Sequence, residues 1–396
     1  MSLKPGQFGP ELVGKVADGL PDPLSLPAEA YAAACAAAEL KGKRLGALER
    51  YARTYRQGVL DDPLASVSLP PLGRVLESDS PEGNVIKFTL KVPGREGQPE
   101  ALETESVIIP MIGKRGIRTH TLCVSSQVGC AMGCGFCQTA QMGLLRNLTT
   151  REIIAQWFIA QHHFKAVELG NIVFMGMGEP MDNLDNVMGA IAIFGDHRGP
   201  ALARNRITVS TVGRVDGIER LGKQVHTTGW HRLSLAVSLN ASNDEVRSQI
   251  MPINRAVPMS RLREAIESWP IYGGAKICLE YVLIPGVNDR AEHAEQLGDF
   301  VLGRGIYLGR PALPGLVNLI PYNPRENSPW PAPEETDVDR FMLWLGEQGV
   351  YAKRRRTKGR DTMAACGQLG NPAMRRKPAT GVQLTASGAG PRSPRE

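Results

Sequence analysis

A chain of 396 residues can bury a large core, enough for one barrel-sized domain and a smaller companion. No apolar run of about eighteen residues occurs, so no segment reads as a membrane span. The formal charge of +6 is by itself only a weak pointer to an anionic partner.

The N-terminal Met1-Ser2-Leu3-Lys4-Pro5-Gly6 lacks the apolar stretch of a secretory leader, and residues 1–25 read as an irregular arm rich in Pro and Gly. Helices are expected at 28–40, which is Ala-rich, and at 45–55. Cys35 in the first reads as a small apolar filler. Residues 85–92 and 103–110 read as strands, rich in β-branched side chains and bounded by Gly, Pro and Glu. Together they predict a small α+β N-terminal domain over residues 26–115.

From residue 116 strand and helix alternate. Residues 119–125 read as a strand, and 150–164 as an amphipathic helix capped by Thr149 or Thr150. Further strands are expected at 171–175, 206–210, 233–239, 277–283 and 316–320. Helices at 185–194, 259–268 and 292–302 separate many of them. Repeated βα units imply right-handed crossovers and a parallel sheet. Roughly six units fit, two short of a full barrel. The expected fold is therefore α/β, a partial (β/α)6 TIM-like barrel over 116–370, with its site at the strand C-termini. Residues 371–396 read as a disordered tail.

The strongest chemical signal is the spacing C-x3-C-x2-C at Cys130, Cys134 and Cys137. A structural zinc site is normally closed by four ligands, and an ordinary [4Fe–4S] cluster takes one cysteine per iron. Three thiolates leave one iron open to a substrate. In this spacing that is the pattern of radical S-adenosylmethionine (SAM) enzymes, whose open iron chelates the methionine part of the cofactor. Gly129, Gly133 and Gly135 allow the backbone close to a bulky group, and Phe136 is placed to shield it. A tight loop with incidental thiols, or a zinc site, is the plainer reading. No downstream Cys/His pair completes a tetrahedral set. The seven cysteines do not form a secreted disulfide framework, and an oxygen-sensitive cluster implies the reducing cytosol.

Several polar residues fall just after expected strands. They are Glu179 in Gly176-Met177-Gly178-Glu179-Pro180, Ser210, Ser238 and Asn240 in Ser238-Leu239-Asn240, and Asn323. Each alone is more often a turn or cap residue, so the argument rests on their repeated placement. Cys366 follows a dense basic run, residues 353–360, and Cys123 stands before the cysteine loop. Such a run alone is most often a solvated face. Beside a reactive thiol it could hold RNA by phosphate neutralisation. Cys278 reads as core, and His162 and His163 as structural.

The segment Thr121-Leu122-Cys123-Val124-Ser125-Ser126-Gln127-Val128-Gly129-Cys130, the Gly176–Pro180 turn and Ala364-Ala365-Cys366-Gly367-Gln368, taken in order, closely resemble the RlmN/Cfr family of radical SAM RNA (adenosine) methyltransferases. The resemblance covers about residues 103–370 and implies one [4Fe–4S] cluster on Cys130, Cys134 and Cys137, with two SAM molecules per turnover. Cys366 then accepts a methyl group from one SAM. A radical from the second activates that methyl, which adds to an adenine carbon too poorly nucleophilic for ordinary methyl transfer. Glu105 matches the base that removes the ring proton. Cys123 matches the thiol that displaces the adduct, leaving a Cys123–Cys366 disulfide. Gly178, Glu179, Ser210, Ser238, Leu239 and Asn323 match cofactor-contacting positions. Asn240 replaces the family's His.

The implied partners are 23S ribosomal RNA, with tRNA as a further candidate, and an electron donor such as flavodoxin, for a monomer with no membrane association. C2 of adenosine is the leading target and C8, the resistance-linked branch, its nearest rival. A radical SAM activase or an RNA-binding protein with a structural metal would need neither Cys366, Cys123 nor Glu105.

Overall fold

The computed structural model describes residues 21–38, 44–60, 67–94, 100–113, 116–164, 168–273, 275, 277–356, 358–359 and 361–374. The expectations for residues 1–20 of the arm and 375–396 of the tail lie outside the described residues.

Helices α1 (Ala28–Ala37) and α2 (Arg44–Gln57) come first, and Cys35 is buried among their apolar faces. Tyr31, Tyr51 and Tyr55 stack in succession, and Tyr55 reaches Trp157 in the barrel layer. Next, β1 (Leu72–Ser80), β2 (Gly83–Val92) and β3 (Leu102–Ile112) pair antiparallel. β1 carries no apolar alternation because it is a largely exposed edge strand rich in Arg, Glu, Ser and Asp. β3 then pairs antiparallel with β4 (Arg118–Cys123), Val107 facing Cys123. The sheet is therefore continuous across residue 115, where the local sequence pattern changes from antiparallel strands to βα units.

β5 (Gln127–Gly129), α3 (Gln138–Gln141) and β6 (Leu144–Asn147) frame the cysteine loop. α4 (Thr150–His162) begins with a capping box between Thr149 and Glu152, as its sequence predicts. The chain continues through β7 (Leu169–Phe174), α5 (Leu184–Phe194), β8 (Ile207–Thr211), α6 (Val215–Val225) and β9 (Ser234–Ser238). It ends with α7 (Asp244–Ile250), α8 (Met259–Glu267), β10 (Ile277–Leu283), α9 (Ala291–Leu302), β11 (Gly315–Pro321), α10 (Glu335–Glu347) and β12 (Ala352–Arg354). The ten-stranded sheet runs β1-β2-β3-β4-β7-β8-β9-β10-β11-β12 and is parallel from β4 onward. Its parallel part is the expected partial (β/α)6 barrel, extended by the short β12.

Strand alternation decides which residues meet the site. On β10, Leu279, Tyr281 and Leu283 are buried on the helix side, where Tyr281 stacks on Phe341 of α10. Glu280 and Val282 face the interior. Each fully buried Leu, Ile or Phe contributes about 1.5–3 kcal/mol, and this side of the sheet carries dozens of them. The interior face can then afford polar groups.

Candidate active site

The cysteine loop is pinned from three sides. Cys130 N–H donates to Gly143 O (3.0 Å), Gly135 N–H to Ile250 O (2.9 Å), and Arg325 Nε to Gly135 O (2.9 Å). Gly129 has φ +77°, and a Cβ there would lie 1.9 Å from Gly143 O, so only glycine fits. The loop brings Cys130, Cys134 and Cys137 to the wall of one cavity. Burial pushes the Cys130 thiol up to about 12 and raises Cys134 well above the ordinary thiol value. Thiols this buried ionise only against a bound cation. Among the described residues no three Cys, His, Asp or Glu groups converge on a point that could hold a single metal ion. Three thiols on one cavity wall suit three irons of a [4Fe–4S] cluster, with the fourth left open.

That cavity holds about 140 Å³ and opens to solvent at its mouth. Besides the three cysteines it is lined by Gly178, Glu179, Ser210, Ser238, Asn240, Asn323 and Cys366. All sit just beyond strand ends or on loops over the barrel mouth. Gly178, at φ +102°, packs so closely on Gln127 that a Cβ would come within 2.5 Å. Glu179 is buried, accepting from Met181 N–H (3.0 Å) and Val212 N–H (2.9 Å). Burial pushes its carboxyl up to about 7. Such a carboxylate suits a cationic ammonium. Asn240 takes φ +55°, its Oδ1 accepts from Val282 N–H (3.0 Å), and its Nδ2 lies by Met251 Sδ (3.4 Å). The amide that replaces the family's His is thus partly committed to holding a strand end. Leu239 does not line the cavity; its side chain is fully buried in the core.

Cys366 also lines a second, adjoining cavity of about 70 Å³, together with Cys123, Arg355 and Asn323. Both thiols are free. Burial raises the pKa of each, to about 12 for Cys123, while the Arg355 guanidinium pulls Cys366 back down. The structure therefore gathers the three loop cysteines, the strand-end polar residues and the Cys123 and Cys366 thiols around two adjoining cavities.

Comparison with known proteins matches residues 124–298 to the radical SAM superfamily. A probable dual-specificity RNA methyltransferase RlmN 1 from Protochlamydia amoebophila is 45% identical over 75% of this chain and 76% of its own length. The chain belongs to the RlmN family. A dual-specificity RNA methyltransferase RlmN 2 from Myxococcus xanthus is 41% identical over 78% of this chain and 76% of its own length. The crystal structure of a radical SAM methyltransferase from Sphaerobacter thermophilus superposes with TM-score 0.73 at 34% identity, covering 87% of this chain and 98% of that one. The chain is a radical SAM methyltransferase, and membership of the RlmN family implies a [4Fe–4S] cluster and SAM. Cys130, Cys134 and Cys137 fit the former; Glu179, Ser210, Ser238 and Asn323 are placed for the latter.

The structure adds to the sequence reading at Glu105, at the basic run and at two residues that reading did not single out. Glu105 lines neither cavity: it is buried on β3 in an ion pair with Lys87 (2.8 Å) and accepts from Gly370 N–H (2.9 Å). The basic run does not form one exposed face. Arg354 pairs with Glu335 and Asp339, Arg355 turns inward, and Lys358 pairs with Glu82. Thr357 and Arg360 of the run lie outside the described residues. Glu280 was missed: it accepts from Ser210 Oγ (3.2 Å) and Ser238 Oγ (3.4 Å) and faces Arg355 at 3.8 Å, joining the two cavities. A lone acid inside the apolar run Ile277-Cys278-Leu279-Glu280-Tyr281 was its sequence signal. Arg247, fully buried, holds the carbonyls of Val212, Ser238 and Leu239. No local pattern marked it. Among the described residues no helix is long and apolar enough to cross a membrane.

Proposed function

We propose that this chain methylates a ring carbon of adenosine in RNA, with C2 in 23S ribosomal RNA as the first target and a tRNA adenosine as the second. The observation that carries the reading is the position of Cys366, which lines the cofactor cavity on one side and shares the adjoining cavity with Cys123. The dual specificity in the relatives' names supports two RNA substrates.

When bound, the cluster and SAM supply a carbon-centred radical, the chemistry an unactivated aromatic carbon requires. The chain's own residues do the rest. Glu179 receives the ammonium group of SAM, and the Ser210 and Ser238 hydroxyls, oriented by Glu280, fix its orientation. Cys366 carries the methyl group as a thioether, with Arg355 lowering the cost of the thiolate that accepts it. Glu105, once released from Lys87 and Gly370 N–H, takes the ring proton. The Cys123 thiolate attacks the Cys366 sulfur, the carbon–sulfur electron pair passes to the product carbon, which takes up a proton to become the methyl group, and the odd electron of the adduct returns to the one-electron carrier that supplied it. A Cys123–Cys366 disulfide remains for an external reductant. Two SAM molecules are consumed per product, one for methyl donation and one for the radical.

Mass spectrometry of nucleosides tests this, after anaerobic reaction of cluster-loaded protein with ribosomal RNA and with tRNA beside a Cys366→Ala control. 2-Methyladenosine that disappears in the control is expected. 8-Methyladenosine would move the target carbon, and no methylated adenosine despite SAM cleavage would overturn the RNA reading.

A further inference from the structure

Cys366 rides on a strap, of which residues 355–356, 358–359 and 361–370 are described, that leaves β12 and reaches β2 and β3. Its start is tied by Arg355 N–H to Leu319 O (2.8 Å), and Lys358 Nζ reaches Pro110 O on β3 (2.7 Å). On the cluster side, Gln138 N–H donates to Gly367 O (2.7 Å) and Thr139 Oγ1 to Leu369 O (2.5 Å). Gln368 Nε2 donates to Pro324 O (3.0 Å), and two further anchors come from a single ion pair. Lys87 Nζ donates to Met363 O (3.0 Å), and Glu105 Oε2 accepts from Gly370 N–H (2.9 Å). The pair itself closes at 2.8 Å, and both residues are more than nine-tenths buried.

Resting on the reading of Cys366 as methyl carrier, we propose that the Lys87–Glu105 pair is a clamp bracketing Cys366, and that Lys87 is a positioning residue of the methyl transfer. A buried ion pair recovers little net stability after desolvation, so packing alone is a poor reason to place one here. Both partners spend hydrogen-bonding capacity on the strap rather than on their own strands. Lys87 holds the chain just before Cys366 and Glu105 holds it just after, which fixes the path of the sulfur between the two cavities. The same carboxylate that serves as base in the RlmN-type scheme is thereby occupied, so the strap yields before a substrate reaches it.

The test uses full-length, cluster-loaded protein without RNA. Hydrogen exchange of the strap and S-methylation of Cys366 by SAM, both read by peptide mass spectrometry, are compared in wild type, Lys87→Met and Lys87→Arg. Loss of a charge-assisted anchor predicts roughly tenfold faster exchange over residues 363–370 and several-fold slower methylation in Lys87→Met. Iron content and exchange in β10 stay at wild-type values, and Lys87→Arg restores part of both effects. Wild-type strap exchange in Lys87→Met overturns the clamp, as does loosening spread equally to β10. If Lys87→Met misfolds around its lone buried carboxylate, the charge-neutral Lys87→Met/Glu105→Gln pair replaces it, with the same loosening expected and wild-type exchange again fatal. A wild-type protein that never methylates Cys366 sinks the carrier reading instead, while strap exchange still decides the clamp.

Discussion

The cysteine loop and the Cys366 strap face the same cavity but are held there in opposite ways. The loop is a short structure: a two-stranded frame, tight glycines, two backbone hydrogen bonds (to Gly143 and Ile250) and one from the Arg325 side chain hold Cys130, Cys134 and Cys137 within a few residues of one another. The strap has little regular structure of its own. It is fixed by partners more than two hundred residues away in sequence, on β2, β3 and α3. A metal site needs several donors at set spacing, which a short loop supplies cheaply. A residue that serves two cavities in turn needs a position that can be released, and distant side-chain anchors provide that.

The contrast can be broken most sharply at the loop. Cys134→Ala removes one of three thiolates from a site with no spare donor, so iron content should collapse and methylated adenosine should fall by more than about a hundredfold. Retention of a full cluster would show that the three cysteines are not its ligands. Gly129→Ala tests the frame rather than the donors. Its Cβ clash with Gly143 O and its positive φ should cost more than about 2 kcal/mol in denaturant unfolding, with poor cluster loading.

On the strap the expected effects are smaller and leave the cluster intact. Without the Arg355 guanidinium the Cys366 thiol loses the group that holds its pKa down, so Arg355→Met should shift the iodoacetamide alkylation profile of Cys366 to higher pH. Several-fold slower labelling near neutral pH with unchanged iron would sharpen the comparison. An unshifted profile would break the link between Arg355 and Cys366.

The smallest effect lies far from both regions. His162 Nε2 donates to Tyr55 O (3.0 Å) against Trp157, and burial holds its pKa below the ordinary 6.5. The unfolded chain therefore takes up this proton first as pH falls. The contribution to stability is complete above pH 6.5 and is lost as pH drops toward the folded value. Denaturant midpoints between pH 7 and 5.5 should fall less in His162→Gln than in wild type, by under about 1 kcal/mol.

Much of the barrel was legible from local pattern. Residues 277–283 are an apolar run broken by Glu280 alone and form β10 over that same span, and the Thr149/Glu152 box marks the start of α4. The edge strand β1 escaped because its residues face solvent on both sides, and α10 because its apolar positions are diluted by charge; α6 was passed over although Val215, Ile218, Leu221 and Val225 recur at helical spacing. At the site, residues that follow strand ends were found one by one. Glu280, Arg247 and Arg355 were not, because their roles come from what they face across the barrel.

What the sequence by itself determined is the chemistry. Three thiolates at close spacing, glycines where only glycine fits, and a βα rhythm placing polar residues at strand ends all follow from short-range geometry. Only the tertiary structure decided how Cys366 reaches that chemistry. It turned Arg355 inward from the basic run, put Glu105 in an ion pair rather than in a cavity, and joined β3 to β4 across the expected boundary. Pairings between residues hundreds of positions apart depend on which surfaces the folded sheet brings together, and no local spacing encodes them.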